Sequence, residues 1–391
     1  MRNFKKVVAL AMAAALVVTA FAACGETETQ TGTEGGTFVI GGIGPVTGPA
    51  AVYGTAVQRG AQIAIDEINA AGGVNGMQLK LVFQDDEHDA EKAVNAYNSI
   101  KDAGAKLLLG TVTSTPCEAV VEKTFADNMF QITPSGSSTN AVCHENAFRI
   151  CFSDPGQGAA AAQYIAGDLG LKKVAVIYDS SDVYSSGIYE TFAGEAANQG
   201  IEIVTAQAFV GADCSDFNAQ IIAVNEAQPD IVFLPIYYQA ASLILQQSKK
   251  AGFEFKFFGC DGLDGIVGQL DKDAALAEGV MLLTPFVADD PAENVQKFVA
   301  AYQTAYGEVP NQFAADAYDG VYIIKAALEK AGVKDANIGV SELCDLLKGV
   351  MGELEITGVT GTMKWDVASG ECDKTPKGMV IKEGAYSAIS K

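Results

Sequence analysis

The chain has 391 residues, 49% of them hydrophobic, with 41 glycines, and carries a formal net charge of −22 from 48 acidic against 26 basic residues. That length accommodates two domains or one large one. The apolar content excludes general disorder, and the acid excess excludes nucleic acid as an expected partner and reads most simply as solubilising surface charge.

The first segment fixes the compartment. Arg2, Lys5 and Lys6 precede an unbroken apolar run from Val7 to Phe21, closed by Phe21-Ala22-Ala23-Cys24. This is the pattern of a secretory signal, because a run of about 15 residues falls short of the roughly 20 needed to span a bilayer as a helix. The last four residues resemble a bacterial lipobox, with Phe21 where Leu is usual. The expectation is therefore a signal peptide over residues 1–23, lipidation of Cys24, and a polar, Gly-rich tether over 24–36. Such a chain is exported and held by its lipid at the outer face of the cytoplasmic membrane, on the bacterial cell surface.

Beyond the tether, short apolar runs alternate with amphipathic stretches. Strands are expected at Thr37–Ile43, Leu79–Gln84, Leu107–Gly110 and Phe130–Thr133, with helices at Ala56–Ala70, Ala90–Ala103 and Glu118–Asn128 between them. The rhythm restarts with strands at Lys173–Tyr178, Ile201–Ala206, Ile231–Pro235, Phe255–Gly259 and Val280–Leu283, separated by helices near Gly187–Asn198, Phe217–Asn225 and Gln239–Ala251. Near-continuous apolar strands joined by helices imply α/β architecture, with doubly wound parallel sheets covered on both faces, here as two similar lobes. Helices at Pro291–Tyr306, Ala314–Ala331 and Ser341–Gly349 and a strand at Gly361–Asp366 follow. This tail is too short for a third ordinary domain, so the chain is expected to recross between the lobes.

Ligands of such sheets bind beyond the carboxyl ends of the strands. The first of these loops, Gly41 to Pro49, lacks the G-x-G-x-x-G spacing of a dinucleotide site, and Tyr53 beyond it suits packing or reach over a cleft equally. In the second, Thr113 to Glu118, Thr115 and Glu118 have the spacing of a capping box with Pro116 at the first helical position. A helix N-terminus at Ser114 and Thr115 serves either as a plain cap or as an anion site. The third, Thr133 to Thr139, offers hydroxyls to a charged ligand or to a surface turn. In the second half Tyr184, Tyr237 and Asp261 follow strands, and Asp261 between glycines suits a turn or a cation partner.

Catalysis is not expected. Only His88 and His144 are present, and G-x-S-x-G, Walker A and H-E-x-x-H are all missing. No cofactor is expected, and no metal either, because no C-x-x-C occurs and no Cys/His pairing has zinc-finger spacing. With Cys24 lipidated, seven cysteines remain; Cys344–Cys372 and Cys117–Cys143 are conceivable bridges, and free thiols are the alternative.

Taken in order, Gly44-Pro45 with Gly48-Pro49, Tyr53-Gly54, Gly60-Ala61, Gly72-Gly73 with Gly76, Asp85-Asp86, Gly110, Thr133-Pro134, Tyr184, Gly252 and Trp365-Asp366 resemble the Leu/Ile/Val-type solute-binding proteins of branched-chain amino-acid ABC transporters. The resemblance implies a type I periplasmic-binding-protein fold closing by a hinge, with residues 37–154 and 285–359 in the N-terminal lobe and 155–284 and 360–391 in the C-terminal lobe. It implies an amino-acid ligand whose carboxylate is held at Ser114, with Thr113, Ser135, Gly136 and Ser137 contributing hydroxyl and backbone contacts. Tyr53, Tyr184 and Tyr237 would surround the ligand, and Asp261 would pair with its ammonium where the family carries Glu. His88 stands where some members carry a disulfide Cys. The expected partners are an L-amino acid with a branched-chain or other apolar side chain and ABC permease subunits, with the protein a monomer. A sensory receptor of the same fold, or a binder of a short amide, urea or short peptide, is the alternative.

Overall fold

The computed structural model describes residues 36–389; the signal, Cys24 and all but the last residue of the tether lie outside the described residues. From there the alternating pattern builds a first layer in chain order: β1 (Thr37–Gly44), α1 (Ala51–Ala70), β2 (Gln78–Asp85), α2 (Ala90–Asp102), β3 (Leu107–Gly110), α3 (Ser114–Ala126), β4 (Gln131–Thr133) and β5 (Ala147–Arg149). These five strands make one parallel sheet in the order β2-β1-β3-β4-β5. Every residue of Leu107–Gly110 is buried, as a strand covered by helices on both faces must be.

The second layer repeats the plan with α4 (Asp154–Gln163), β6 (Lys173–Asp179), α5 (Val183–Asn198), β7 (Glu202–Phe209), α6 (Asn218–Ala227), β8 (Ile231–Leu234), α7 (Tyr238–Ala251), β9 (Phe257–Gly259), α8 (Ile266–Leu270) and β10 (Met281–Thr284). The chain then returns to the first layer through α9 (Glu293–Tyr306), α10 (Gln312–Lys330) and α11 (Val340–Met351), and ends in β11 (Glu355–Gly358), β12 (Gly361–Asp366), β13 (Glu371–Cys372), β14 (Lys377–Lys382) and β15 (Ala385–Ala388). The second sheet runs β15-β14-β10-β9-β8-β6-β7, with β14 and β15 added antiparallel at one edge. Helix α4 has no apolar periodicity to betray it: DPGQGAAAAQ is held by the Ser153 N-cap, Pro155 in the first turn, and close packing on α5.

The late crossover falls further along than the sequence reading places it. Strand β12 does not join the second sheet; it pairs with β11 and β13 in a small antiparallel sheet. Two long-range bonds keep it beside the first layer, because the buried Trp365 indole N–H needs an acceptor and finds the Arg149 carbonyl at 2.8 Å, while Arg149 N–H donates to Gly370 O at 3.0 Å. Only at Lys377 does the chain enter the second sheet. Buried Lys374, just before this point, donates to Asp316 Oδ1 at 2.6 Å and Thr360 Oγ1 at 2.8 Å, so the crossing is pinned by a buried ion pair.

The first lobe is organised on the close packing of α1 against α10. Gly60 makes that approach possible, since a Cβ there would stand 2.0 Å from the Ala314 carbonyl oxygen. Gly60→Ala is expected to destabilise the protein by about 1–3 kcal/mol through overpacking against backbone that cannot step aside. A urea midpoint equal to that of the unaltered protein would contradict this reading.

Cys117, Cys143, Cys151, Cys214, Cys260, Cys344 and Cys372 are all free thiols. Neither Cys344–Cys372 nor Cys117–Cys143 is formed. Cys344 sits in the core of α11 and Cys372 on the small sheet, each buried among its own neighbours. No helix among the described residues is long and apolar enough to cross a membrane.

Candidate functional site

The carboxyl ends of β1, β3 and β4 and those of β6, β8 and β9 face one another across the two layers, and the loops that follow them meet. Tyr53, from the first turn of α1, is fully buried; its hydroxyl donates to Gly262 O at 2.6 Å and accepts from Tyr238 N–H at 3.2 Å. Thr115 Oγ1 donates to Asp182 Oδ1 at 3.2 Å, and Val52 N–H to Tyr238 Oη at 3.4 Å. These bonds tie the first lobe to the second around a small cavity.

Its walls are Tyr53, Val112, Thr113, Ser114, Ser135, Ser137, Tyr184, Tyr237, Asp261, Gly262 and Phe313. Eight of the nine residues expected at a ligand site thus converge on one cavity, the exception being Gly136. Gly136 acts from behind: its N–H donates to Thr133 Oγ1 at 2.7 Å and its carbonyl accepts from Arg149, which shapes the loop that presents Ser135 and Ser137. A Cβ on Gly136 would stand 2.8 Å from Thr133 Oγ1 and 2.9 Å from Cys117 Sγ.

One end of the cavity suits an anion. Helix α3 opens at Ser114 with Thr113 as its N-cap, and no side chain caps the first N–H groups. The expected capping box from Thr115 to Glu118 is not formed, because the helix starts at Ser114 and puts Thr115 inside the first turn, where its hydroxyl turns to Asp182 instead. Uncapped N–H groups and the helix dipole favour negative charge here. Ser114 Oγ accepts from Ser137 N–H at 3.3 Å and Ser138 N–H at 3.2 Å, and Thr113 Oγ1 lies 2.9 Å from His88 Nδ1. Buried Arg149 holds this loop through the carbonyls of Gly136, Ser137 and Ser138, and its Nε lies 3.0 Å from Glu371, an ion pair without hydrogen-bond alignment.

The other end suits a cation. Asp261 follows β9 and is buried; its Oδ1 accepts from the Tyr184 hydroxyl at 2.7 Å, and its N–H donates to Gln157 Oε1 at 3.1 Å. Burial pushes the Asp261 carboxyl up to about 6, against the pull of Tyr184, Gln157 and the Gly262 N–H. Asp154, in the first turn of α4, is buried as well, and neither of its carboxylate oxygens makes a hydrogen bond of normal geometry. Burial lifts its carboxyl well above the ordinary range, with the Ser137 hydroxyl opposing and Asp261 reinforcing the shift. A buried carboxylate becomes favourable when a positive group approaches it.

Between the two ends the lining is aromatic. The Tyr184 and Tyr237 rings stack with centroids 4.7 Å apart, and Tyr53 packs on Phe313 at 4.3 Å. Tyr237 also lines a wider cleft together with His88, Thr115, Asp179, Asp182 and Gln239. Burial holds the His88 imidazole below its usual range, so it is neutral near pH 7, and burial lifts the Asp182 carboxyl to about 6. Sequence reasoning missed Val112, Gly262 and Phe313 in the wall and Arg149, Asp154 and Gln157 behind it. The available signal was the charged Arg149 inside the apolar run Ala147–Cys151, which no surface strand requires.

Two α/β lobes that meet around a small cavity lined by polar and aromatic side chains have the architecture of a solute-binding protein. Residues 37–375 match the periplasmic binding protein family, and the chain belongs to that family. It is similar to the leucine-, isoleucine-, valine-, threonine- and alanine-binding protein of Pseudomonas aeruginosa, at 31% identity over 302 residues, covering 76% of this chain and 80% of that one. Among solved structures it is similar to a branched-chain amino acid transporter substrate-binding protein from Streptococcus pneumoniae in complex with isoleucine (TM-score 0.81, 29% identity, 90% of this chain and 98% of that one). It also resembles a leucine-binding protein from Thermotoga maritima (TM-score 0.80, 25% identity, the same shares covered). The chain is therefore an extracytoplasmic solute-binding protein of ABC transport and not an enzyme.

Proposed function

We propose that this protein captures an L-amino acid with a branched-chain or other apolar side chain between its lobes and delivers it to an ABC permease. The observation that carries the reading is the polarity of one cavity between the lobes: the uncapped start of α3 with Ser114 at one end, and buried Asp261 at the other. A zwitterion satisfies both ends at once, and the Tyr53, Tyr237 and Phe313 rings leave an apolar wall for its side chain. An uncharged amide or urea would leave Asp261 without a compensating charge. Tyr53 and Thr115 are the latch contacts of closure, because each donates across the lobe boundary.

The same reading has the mature chain begin at Cys24, carry a lipid there, and work as a tethered monomer at the outer face of the cytoplasmic membrane, with residues 37–154 opening the N-terminal lobe. Thermal denaturation in the presence of each of the twenty amino acids tests it: a ligand at about 100 times its Kd adds about 2.7 kcal/mol to folding stability. Leu, Ile or Val is expected to raise the midpoint. A set of twenty flat responses would remove the amino-acid reading.

A further inference from the structure

A second cluster of reactive side chains lies away from the ligand cavity, at the other end of α3. Glu122 on that helix meets Cys143 and His144, which follow the short turn Thr139–Val142. His144 Nε2 is 2.9 Å from Glu122 Oε1, Cys143 Sγ is 4.0 Å from the same oxygen, and the three donor atoms all lie within 4.8 Å of one another. We propose that Glu122, Cys143 and His144 form a binding site for a zinc ion, with water in the fourth position.

The donor set suits the ion. Zinc takes thiolate, imidazole and carboxylate ligands tetrahedrally, and donors bound to one such ion stand about 3.3–3.7 Å apart. The observed 2.9 Å and 4.0 Å bracket that range, so side-chain adjustments suffice. The site is also held in shape. Val142 and Ala147 pack on Val121 of α3, Ala147 N–H donates to His144 O at 3.0 Å, and the Phe125 ring stacks on the imidazole at 4.0 Å with 7° between planes. Glu118, one turn before Glu122, adds a further negative charge near the thiol. Zinc-finger spacing excludes a Cys/His finger, but it says nothing of a third ligand brought in by a helix about 20 residues earlier in the chain.

Binding is a proton-releasing exchange. The Cys143 thiol gives its proton to solvent and forms a sulfur–zinc bond; the proton that His144 Nε2 donates to Glu122 in the metal-free protein moves by exchange with solvent to Nδ1, which frees the Nε2 lone pair for the metal, and Glu122 takes the metal in place of that hydrogen bond. The ion would staple α3 to the loop that carries Ser135 and Ser137. Their other ends meet at Ser114 Oγ and Ser137 N–H.

Cobalt(II) titration of the reduced protein tests the assignment, because cobalt occupies zinc sites and reports sulfur ligation by a thiolate-to-metal charge-transfer band in the near ultraviolet. The expected result is one such band at one equivalent, displaced by zinc, lost in Cys143→Ser, and weakened at least about tenfold in binding constant by Glu122→Gln or His144→Ala, since even outer-shell partners are worth that much. Folding of each variant is read from its metal-free thermal midpoint. Absence of the band in the unaltered protein, or its survival in Cys143→Ser, overturns the proposal.

Discussion

Replacing Asp261 by Asn is expected to weaken amino-acid binding by about 3 kcal/mol, roughly a hundredfold in Kd, while leaving the ligand-free protein at least as stable as before. The two effects have one cause. Asp261 is buried among Tyr184, Gln157 and Gly262, and burial, against the hydrogen bonds of those partners, lifts its carboxyl to about 6, so the ionised form is costly until a positive group arrives. Asn keeps the shape and still accepts from the Tyr184 hydroxyl through its carbonyl oxygen. It loses the charge that an α-ammonium would meet and turns an NH2 toward the ligand instead. Calorimetric titration with a ligand that shifts the melting midpoint gives the affinity, and denaturant unfolding gives the stability. An unchanged affinity would remove Asp261 from the cation site. Ser114→Ala at the opposite end is expected to cost about 1–3 kcal/mol, because the Ser137 and Ser138 N–H groups lose a buried acceptor as the ligand loses a donor.

What the sequence made legible follows from period and chain-local chemistry. Runs such as Leu107–Gly110 and Ile231–Leu234 are buried on both faces, so their unbroken apolar character announces strands without help from distant residues. The loops after them were readable for the same reason, since hydroxyl and glycine residues directly beyond an apolar strand mark the edge where ligands bind. What stayed hidden depends on partners far along the chain. Helix α4 is legible only once α5 covers it, and β12 reads as a strand but cannot reveal that Trp365 will seek the carbonyl of Arg149. The Thr115–Glu118 spacing misled because the N-cap position falls two residues earlier, at Thr113, and Asp182 from the other lobe claims the Thr115 hydroxyl. Asp154 and Gln157 lie in a segment whose small residues carry no period at all, so their place behind the cavity is a product of tertiary packing.

Stability and affinity are expected to run in opposite directions with pH. Asp261 has an ordinary carboxyl value of 3.8 and is lifted to about 6 in the folded protein. A carboxyl lifted on folding binds more protons in the native than in the unfolded state between those two values, so its contribution is fully present below pH 3.8 and is lost as pH rises through about 6. The rise from 3.8 to about 6 corresponds to on the order of 3 kcal/mol. Asp182 and Asp316, also lifted to about 6 by burial, and Asp86, lifted to about 7, act in the same sense, so the ligand-free protein should gain stability as pH falls from 8 toward 5. Binding has the opposite sign. An ammonium beside Asp261 favours its ionised form and draws its value back down, so affinity is full above about pH 7, declines as pH falls through 6, and is accompanied by proton release near that pH. Because several carboxyls share the stability trend, the decisive comparison is between the unaltered protein and Asp261→Asn across the same pH series. The variant should show a shallower rise in stability on acidification and an affinity that no longer falls through pH 6. Parallel stability curves for the two proteins would mean that Asp261 does not bear the folding cost, and parallel affinity curves that it does not face the ligand's positive charge.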